Sequence, residues 1–334
     1  MRINRQILLK IAQDTVAQRA RKERDIVSAY LIGSVLGEDY ILGGTADIDL
    51  VFVHADSTPE EREIVRLTDE VHLDIAHYPQ KHYRQTRLLR RHPWHGPTIF
   101  GCKVLYDPQH FMDFTQASVR GQFDQPDNVI DRARQQAESA RQTWLSFYSD
   151  TPKRIGAKDI YRFIKAIAQA GNAVASLYGA PLTERRFLLA FRQRAEAANK
   201  LSLYPKALEL LGAPNVEKEA LQVWLSAWRV CVESLPPESA PPRLHLARIP
   251  YYLRAFEHIL DGDQPMAVLY PLLHTWTLAA CQLPEGADGL AAWQKACAYL
   301  GLLEAGFSER LEALDAFLDG VEESLDEWAQ ANGI

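Results

Sequence analysis

Hydrophobic positions at the start of the chain recur at helical spacing, and short apolar runs follow them. Between residues 3 and 24 the apolar positions return every three or four residues, which predicts an amphipathic helix. Four later segments are continuously apolar or alternate with polar residues, as strands do. These predicted strands cover residues 27–32, 48–53, 71–77 and 102–106. Pro59 suits the first position of a helix, so a helix is predicted from there to about residue 67.

The pattern changes after Pro126, where apolar residues follow a helical period almost to the end of the chain. The predicted helices are 127–149, 157–178, 183–197, 201–211, 216–234, 243–260, 264–282, 288–302 and 307–331. These patterns together predict an α+β chain. We expect a small mixed β-sheet domain with an N-terminal helix over residues 1–125, followed by an all-helical domain over residues 126–334.

Composition restricts the classes of protein to consider. The 334 residues exceed one ordinary domain, and the net charge of −6 argues against a protein held on nucleic acid by its bulk charge. The first ten residues lack the apolar core of a signal peptide, and no apolar run is long enough to cross a membrane. Four cysteines without metal-ligand spacing suggest free thiols in a reducing compartment. We therefore predict a cytoplasmic protein.

Three acidic residues stand in the predicted strands or directly before one, where charged side chains are uncommon. Asp47 and Asp49 are two positions apart, so in a strand their side chains lie on the same face. Neighbouring carboxylates repel each other, and a divalent cation that prefers oxygen ligands, such as Mg²⁺, removes the repulsion. Asp74 lies between Leu73 and Ile75 in the third predicted strand. It completes a three-carboxylate site if the second and third strands are neighbours.

A Gly-Ser pair, Gly33 and Ser34, ends the first predicted strand. Glycine at that point lets the backbone approach a ligand closely, and the following N–H groups can point at a phosphate. Ordinary alternatives remain for each feature: the Gly-Ser pair can be a plain turn, the Asp-x-Asp sequence can cap a turn, and Asp74 can be an edge-strand charge. The order and spacing of these features favour a nucleoside triphosphate bound through Mg²⁺.

Together, Gly33-Ser34, Asp47-Ile48-Asp49 and Asp74 resemble the motifs of the nucleotidyltransferase superfamily related to DNA polymerase β. Members of that superfamily have a hydrophobic strand ending in Gly-Ser or Gly-Gly, a strand with Asp-x-Asp or Asp-x-Glu, and a later strand with one acid. The resemblance covers about residues 26–108. The helical remainder resembles the C-terminal bundles of antibiotic nucleotidyltransferases only in kind.

The resemblance implies Mg²⁺-dependent transfer of a nucleoside monophosphate from a nucleoside triphosphate to a hydroxyl acceptor, for example a small molecule such as an antibiotic. It implies that Asp47, Asp49 and Asp74 hold two Mg²⁺ ions and that Asp74 could help to take the hydroxyl proton. Gly33 and Ser34 would bind the β- and γ-phosphates. Two other functions stay open: a non-catalytic nucleotide- or partner-binding protein, and an enzyme that transfers AMP to proteins.

The interval between Ser34 and Asp47 departs from the family pattern because it contains no Lys or Arg. A triphosphate carries about four negative charges at neutral pH, and Mg²⁺ offsets only part of them. We therefore expect a cation from the helical domain. Lys158, Arg162 and Lys165 recur on one predicted helix face, and Arg162 or Lys165 is predicted to contact the triphosphate. An ordinary solvated helix face is the alternative explanation of this pattern.

Overall fold

The computed structural model describes residues 3–149, 152, 154–238 and 240–334, and the chain divides into two compact units. The first unit comprises Met1–Asn128 and Pro250–Ala255, and the second comprises Val129–Ile249 and Phe256–Ile334. The first unit contains a mixed β-sheet and the described part of the second is helical, which confirms the predicted α+β class. The predicted division after residue 125 did not anticipate that six residues near position 250 belong to the first unit.

The sheet of the first unit has five strands in the order β3-β4-β2-β1-β5. Strand β2 pairs with β4 in parallel, and the other neighbouring strands are antiparallel. The elements of this unit are α1 (Arg5–Lys22), β1 (Ile26–Ile32), β2 (Ala46–His54), β3 (Arg62–Arg66), β4 (Val71–Pro79), α2 (Thr86–Arg91), α3 (His95–Gly101), β5 (Lys103–Tyr106) and α4 (Phe111–Arg120).

Apolar side chains cover both faces of the sheet. On one face, residues of α1 such as Leu8 and Val16 form a core with Ile48 and Leu73. On the other face, a second core contains residues of β1 and β2 together with side chains from α2, α3 and α4. The middle strands are therefore buried on both sides, which explains why β2 is an unbroken apolar run from Leu50 onward.

The helix predicted from Pro59 to about residue 67 is wrong, because Arg62–Arg66 forms the edge strand β3, antiparallel to β4. Proline permits a helix start but does not enforce one. The β-branched residues Ile64 and Val65 favour an extended strand, and pairing with β4 satisfies backbone groups that a short isolated helix would leave to water.

A chain of hydrogen-bonded polar side chains joins α1 to the sheet beside the first core. Asp25 contacts His54 at 2.7 Å, and His54 contacts His77 at 2.8 Å. His77 in turn contacts Glu63 at 2.7 Å. Arg19 donates two hydrogen bonds to Glu63, at 2.9 and 2.6 Å. Both histidines are buried, so these contacts satisfy polar groups that would otherwise be costly to remove from water.

The predicted helical character of the rest of the chain is confirmed. The remaining helices are α5 (Pro126–Ser149), α6 (Ala157–Ala175), α7 (Phe187–Ala197), α8 (Leu203–Leu210), α9 (Lys218–Glu233), α10 (Ile249–Asp261), α11 (Leu269–Ala280), α12 (Leu290–Tyr299) and α13 (Glu304–Ala331). Within the described ranges, no helix has both the length and the apolar composition needed to cross a membrane. The four cysteines are free, and Cys281 is the one that is not fully buried.

We expect Glu63→Gln to lower the free energy of unfolding by about 1.5–3 kcal/mol at neutral pH, the usual contribution of hydrogen bonds to a charged group. Burial raises the pKa of Glu63, but the hydrogen bonds from Arg19 and His77 outweigh it and hold the pKa below 4.5. Stabilisation from such a carboxylate is present above its unfolded-state pKa and is lost as pH falls through the lowered pKa.

Chemical denaturation at several pH values measures this effect, and the difference between the parent and Glu63→Gln should shrink in acid. Glu61→Gln, at an exposed neighbouring position, is the control. A difference between the parent and Glu63→Gln that is independent of pH would contradict the assigned role of the carboxylate.

Candidate functional site

The acidic residues singled out in the sequence meet on one face of the sheet because β2 and β4 are parallel neighbours. In their register Asp47 stands opposite His72, and Asp49 stands opposite Asp74. Side chains two positions apart share a face, so all four lie on the face away from α1. The residues between them in sequence point the other way, into the core with α1.

Gly33 brings the end of β1 against Asp49. Its φ is +79°, in the left-handed region, and a Cβ on it would overlap Oδ2 of Asp49. Any other residue would therefore both strain the backbone and displace the carboxylate. The chain continues as a short 3₁₀-helix, Ser34–Leu36, whose last two carbonyl groups accept hydrogen bonds from Arg5. Gly33 itself is exposed, so this turn is open to a ligand.

Asp47 is buried and accepts a hydrogen bond from the hydroxyl of Tyr251, with 2.5 Å between the oxygens. Tyr251 belongs to Pro250–Ala255, the part of α10 that is counted in the first unit. Its ring stands edge-on to His72, with 4.7 Å between the ring centroids. A hydroxyl that donates to a carboxylate makes a strong, charge-assisted hydrogen bond. The contact therefore fixes the orientation of Asp47.

The loop that leads into β2 packs directly on this segment of α10. Gly43 has a φ of +60°, and a Cβ there would overlap the carbonyl oxygen of Arg254. The hydroxyl of Thr45 donates to the carbonyl oxygen of Leu42 at 2.9 Å. Arg254 also donates to Glu70, at 3.1 Å, just before β4 begins. The backbone of the loop approaches that of Arg254 so closely that only glycine fits at position 43.

Asp74 is almost completely buried and is bound by Arg62 from the edge strand. The Nε and Nη2 atoms of Arg62 donate to the two carboxylate oxygens at 2.5 and 2.7 Å. A two-point contact of this kind is the strong geometry for a guanidinium and a carboxylate. The roles predicted for Asp74 as metal ligand and proton acceptor stay predictions, and both require this ion pair to open.

Asp47 and Asp49 fit a hard cation, because their carboxylates share a face beside an exposed turn. The three predicted ligands do not surround one point, however. In the described part of the chain, the group of three whose ligand atoms all lie within 4.8 Å of one another is Glu60, Glu63 and His77, on the face of α1. In that group Glu63 already accepts two hydrogen bonds from Arg19, whose charge opposes a metal ion.

The other predicted residues are more loosely placed. The hydroxyl of Ser34 lies 3.5 Å from the carbonyl oxygen of Tyr40, at the limit of a hydrogen bond. Arg162 and Lys165 lie on α6, in the second unit. Within that unit the Arg162 guanidinium stands 4.6 Å from the centroid of the Phe147 ring, and Lys165 is exposed. Their contact with a triphosphate stays a prediction.

Sequence patterns did not point to Tyr251 or Arg62 as part of this site. Tyr251 is 204 positions from Asp47, in an amphipathic helix where a buried tyrosine is ordinarily a core residue. Arg62 was assigned to the incorrect helix. The β-branched pair Ile64 and Val65 is the signal that favours a strand, and pairing of that strand with β4 places Arg62 beside Asp74.

Comparison with known proteins finds a distant structural similarity. No family model matches the chain, and no curated protein matches it. A solved nucleotidyltransferase-like protein from Exiguobacterium sibiricum 255-15 is similar over 77% of this chain and 78% of its own length, with 11% sequence identity and a TM-score of 0.31. A similarity this weak does not identify an activity, so the function has to be argued from the site.

We expect Gly33→Ala to destabilise the protein, because a Cβ at its φ of +79° and ψ of −163° costs about 1–3 kcal/mol and this Cβ also displaces Asp49. Asp49→Ala removes the overlapped oxygen, so the substitution at Gly33 should cost less in that background. Unfolding of the four proteins measures the coupling. Gly44→Ala tests backbone strain alone, since its φ is +73° and a Cβ there would meet no described atom within 4 Å. Equal costs in both backgrounds would contradict the contact.

Tyr251→Phe should lower stability by about 1.5–3 kcal/mol, since it removes a hydrogen bond to a charged group. A double-mutant cycle with Asp47→Ala isolates this contact, because the loss of the hydroxyl should matter much less once the carboxylate is gone. Tyr178→Phe, at a tyrosine that is 42% exposed, is the control. A cycle in which the two substitutions are additive would show that the hydroxyl does not hold Asp47.

Proposed function

We propose that this protein transfers a nucleoside monophosphate from a nucleoside triphosphate to a hydroxyl group of an acceptor, with Mg²⁺ as the metal. The observation that supports this proposal is the position of Asp47 and Asp49 on one face, beside the exposed turn at Gly33. Asp49 leaves no room for a side chain at Gly33, so the backbone of the turn is bare. Carboxylate ligands next to a backbone turn are what a metal-bound triphosphate requires.

Each residue of the face has a part in this proposal. Asp47 and Asp49 would hold Mg²⁺, which when bound supplies the positive charge that stabilises the phosphate oxygens. Gly33 and Ser34 would bind the β- and γ-phosphates through backbone N–H groups and the serine hydroxyl. Arg62, whose side chain is 43% exposed on the same face, would supply a cation from within the first unit. The proposal therefore has a source of positive charge besides Arg162 and Lys165.

In the reaction, the acceptor's hydroxyl oxygen forms a bond to the α-phosphorus. The bond from that phosphorus to the bridging oxygen of the β-phosphate breaks, and pyrophosphate leaves with the electron pair. The hydroxyl proton passes to solvent, or to Asp74 once Arg62 has moved away. Such a transfer depends mainly on positioning and charge stabilisation, so the protein needs no covalent intermediate.

A non-catalytic nucleotide-binding protein is the second candidate, and one feature of the site favours it. Both Asp47 and Asp74 are engaged by donors of the same unit, Tyr251 and Arg62, which a metal-bound substrate would have to displace. Transfer of AMP to a protein is a third candidate. It differs from the first only in the acceptor, so labelled ATP with protein acceptors distinguishes it.

The test is pyrophosphate release from each nucleoside triphosphate with Mg²⁺, in the presence of small hydroxyl compounds, hydroxyl-bearing antibiotics or proteins as acceptors. Asp47→Asn and Asp49→Asn should each abolish release, and Asp56→Asn, at an exposed acid of the same unit, should not. Asp49→Asn should keep or raise thermal stability without metal, because it removes repulsion between neighbouring carboxylates.

Release at the parental rate in both site variants would show that the site is wrongly placed. Calorimetric binding of the triphosphate without release, for every acceptor, would favour the non-catalytic candidate.

A further inference from the structure

The segment from residue 75 to residue 106 contains no Asp or Glu, although the chain as a whole has a net charge of −6. It carries four of the ten histidines and six Lys and Arg residues. The six are Lys81, Arg84, Arg87, Arg90, Arg91 and Lys103. Positive charge is therefore concentrated in one stretch of an acidic protein, where it creates a local field that the net charge conceals.

A groove of about 460 Å³ opens in this segment, within the first unit. Its walls consist of two cations, three imidazoles, an amide and two leucines, without a carboxylate. The lining residues are Lys81, His82, Arg84, Gln85, Leu88, Leu89, His92 and His95. The groove lies beyond the C-terminal end of β4, whereas Asp47, Asp49 and Asp74 lie toward the N-terminal ends of β2 and β4. It is therefore a separate feature from the site described above.

Three cations at or beside this groove lack an acidic neighbour among the described residues. Lys81, Arg84 and Arg87 are exposed, and none of them forms an ion pair or a side-chain hydrogen bond in the part of the chain that the structure describes. By contrast, Arg19 and Arg62 each contact an acid of the sheet. Three cations without acidic neighbours at intervals of three residues present a row of charge to an anion.

The imidazoles form a packed aromatic cluster. The ring centroids of His82 and His95 are 4.6 Å apart, and those of His92 and His95 are 4.4 Å apart. Tyr78 stacks on His82 at 5.0 Å. The Nδ1 atom of His92 accepts hydrogen bonds from the backbone N–H groups of Trp94 and His95, so a neutral His92 carries its proton on Nε2.

The surroundings of the three imidazoles lower their pKa values, which favours the uncharged form of each ring. Burial, aided by repulsion from His92 and His82, lowers the pKa of His95 to about 4. Burial likewise lowers the pKa of His82 and of His92. The groove therefore combines flat, neutral rings with cations, which is the combination that single-stranded nucleic acids require.

We propose that this groove binds single-stranded nucleic acid, with phosphates on Lys81, Arg84 and Arg87 and bases against the rings of His82 and His95. Arg87 lies outside the groove lining, so the charge extends farther than one mononucleotide would use. A duplex hides the faces of its bases and would leave the rings without a role. This inference goes beyond the proposed transfer reaction and does not depend on it.

Fluorescence anisotropy of labelled oligothymidine and oligouridine of about twelve nucleotides tests the proposal, because single-strand sites of this kind cover roughly 4–16 nucleotides. The triple variant Lys81→Ala, Arg84→Ala, Arg87→Ala should lose at least tenfold in affinity. The salt dependence should also become weaker: the negative slope of the log binding constant against log salt should be shallower by about 2, since each single-strand phosphate contact contributes about 0.7.

The matched control is Arg21→Ala, Lys22→Ala, Arg24→Ala, which removes the same charges from another exposed part of the first unit. His82→Ala should weaken binding about fivefold or more, because stacking on an aromatic ring contributes substantially for each base, and His82→Phe should restore it. Thermal unfolding of every variant checks that the fold is kept.

Equal affinity of the parent and the groove triple variant would overturn the proposal, as would equal losses in the two triple variants. Tighter binding of the parent to a duplex of the same length, or to a labelled polyglutamate peptide, would also overturn it. Such results would show that the row of cations serves duplex nucleic acid or an acidic protein instead.

Discussion

The parallel pairing of β2 with β4 is the interaction on which the candidate site depends. The chain leaves β2, runs to the edge of the sheet as β3, and returns as β4 between its two partners. On β4, Asp74 is contacted by Arg62 and His72 by the ring of Tyr251, and both are buried polar residues inside the sheet. The register then sets Asp49 beside Asp74 and Asp47 beside His72.

Burial of this much charge requires partners, since an ionised carboxylate removed from water is costly without them. Three acids of the sheet have such donors: Tyr251 for Asp47, Arg62 for Asp74, and Arg19 for Glu63. The donors come from α10, from the edge strand and from α1. Asp47 and Glu63 therefore join the sheet to a helix, and Asp74 joins β4 to the edge strand β3 within the sheet. A cation that binds Asp47 or Asp74 competes with Tyr251 or Arg62, so its affinity depends on how readily these two side chains move.

In the first unit, acidic and basic side chains are distributed unevenly along the direction of β4. Acids stand near the beginning of the strand, and a stretch without acids follows its end. The histidines beyond the strand pack against one another, and Arg90 and Arg91 of α2 bind backbone and amide oxygens of the same unit. Arg90, for example, contacts the side chain of Gln122 at 2.7 Å, and Arg91 contacts that of Asn128 at 3.1 Å. The face with Asp47 and Asp49 therefore suits a cation, whereas the groove with Lys81 and Arg84 suits an anion.

Periodicity over neighbouring residues was enough to predict the α+β class, four of the five strands and the helical remainder. It was also enough to place Asp47 and Asp49 on one face. It did not determine that Arg62–Arg66 is a strand, since short segments take their structure from the neighbour they pair with. Nor did it show the contact of Tyr251 with Asp47 or of Arg62 with Asp74. Those contacts depend on strand order and on the return of the chain across 204 positions, and only the tertiary structure decides where distant segments meet.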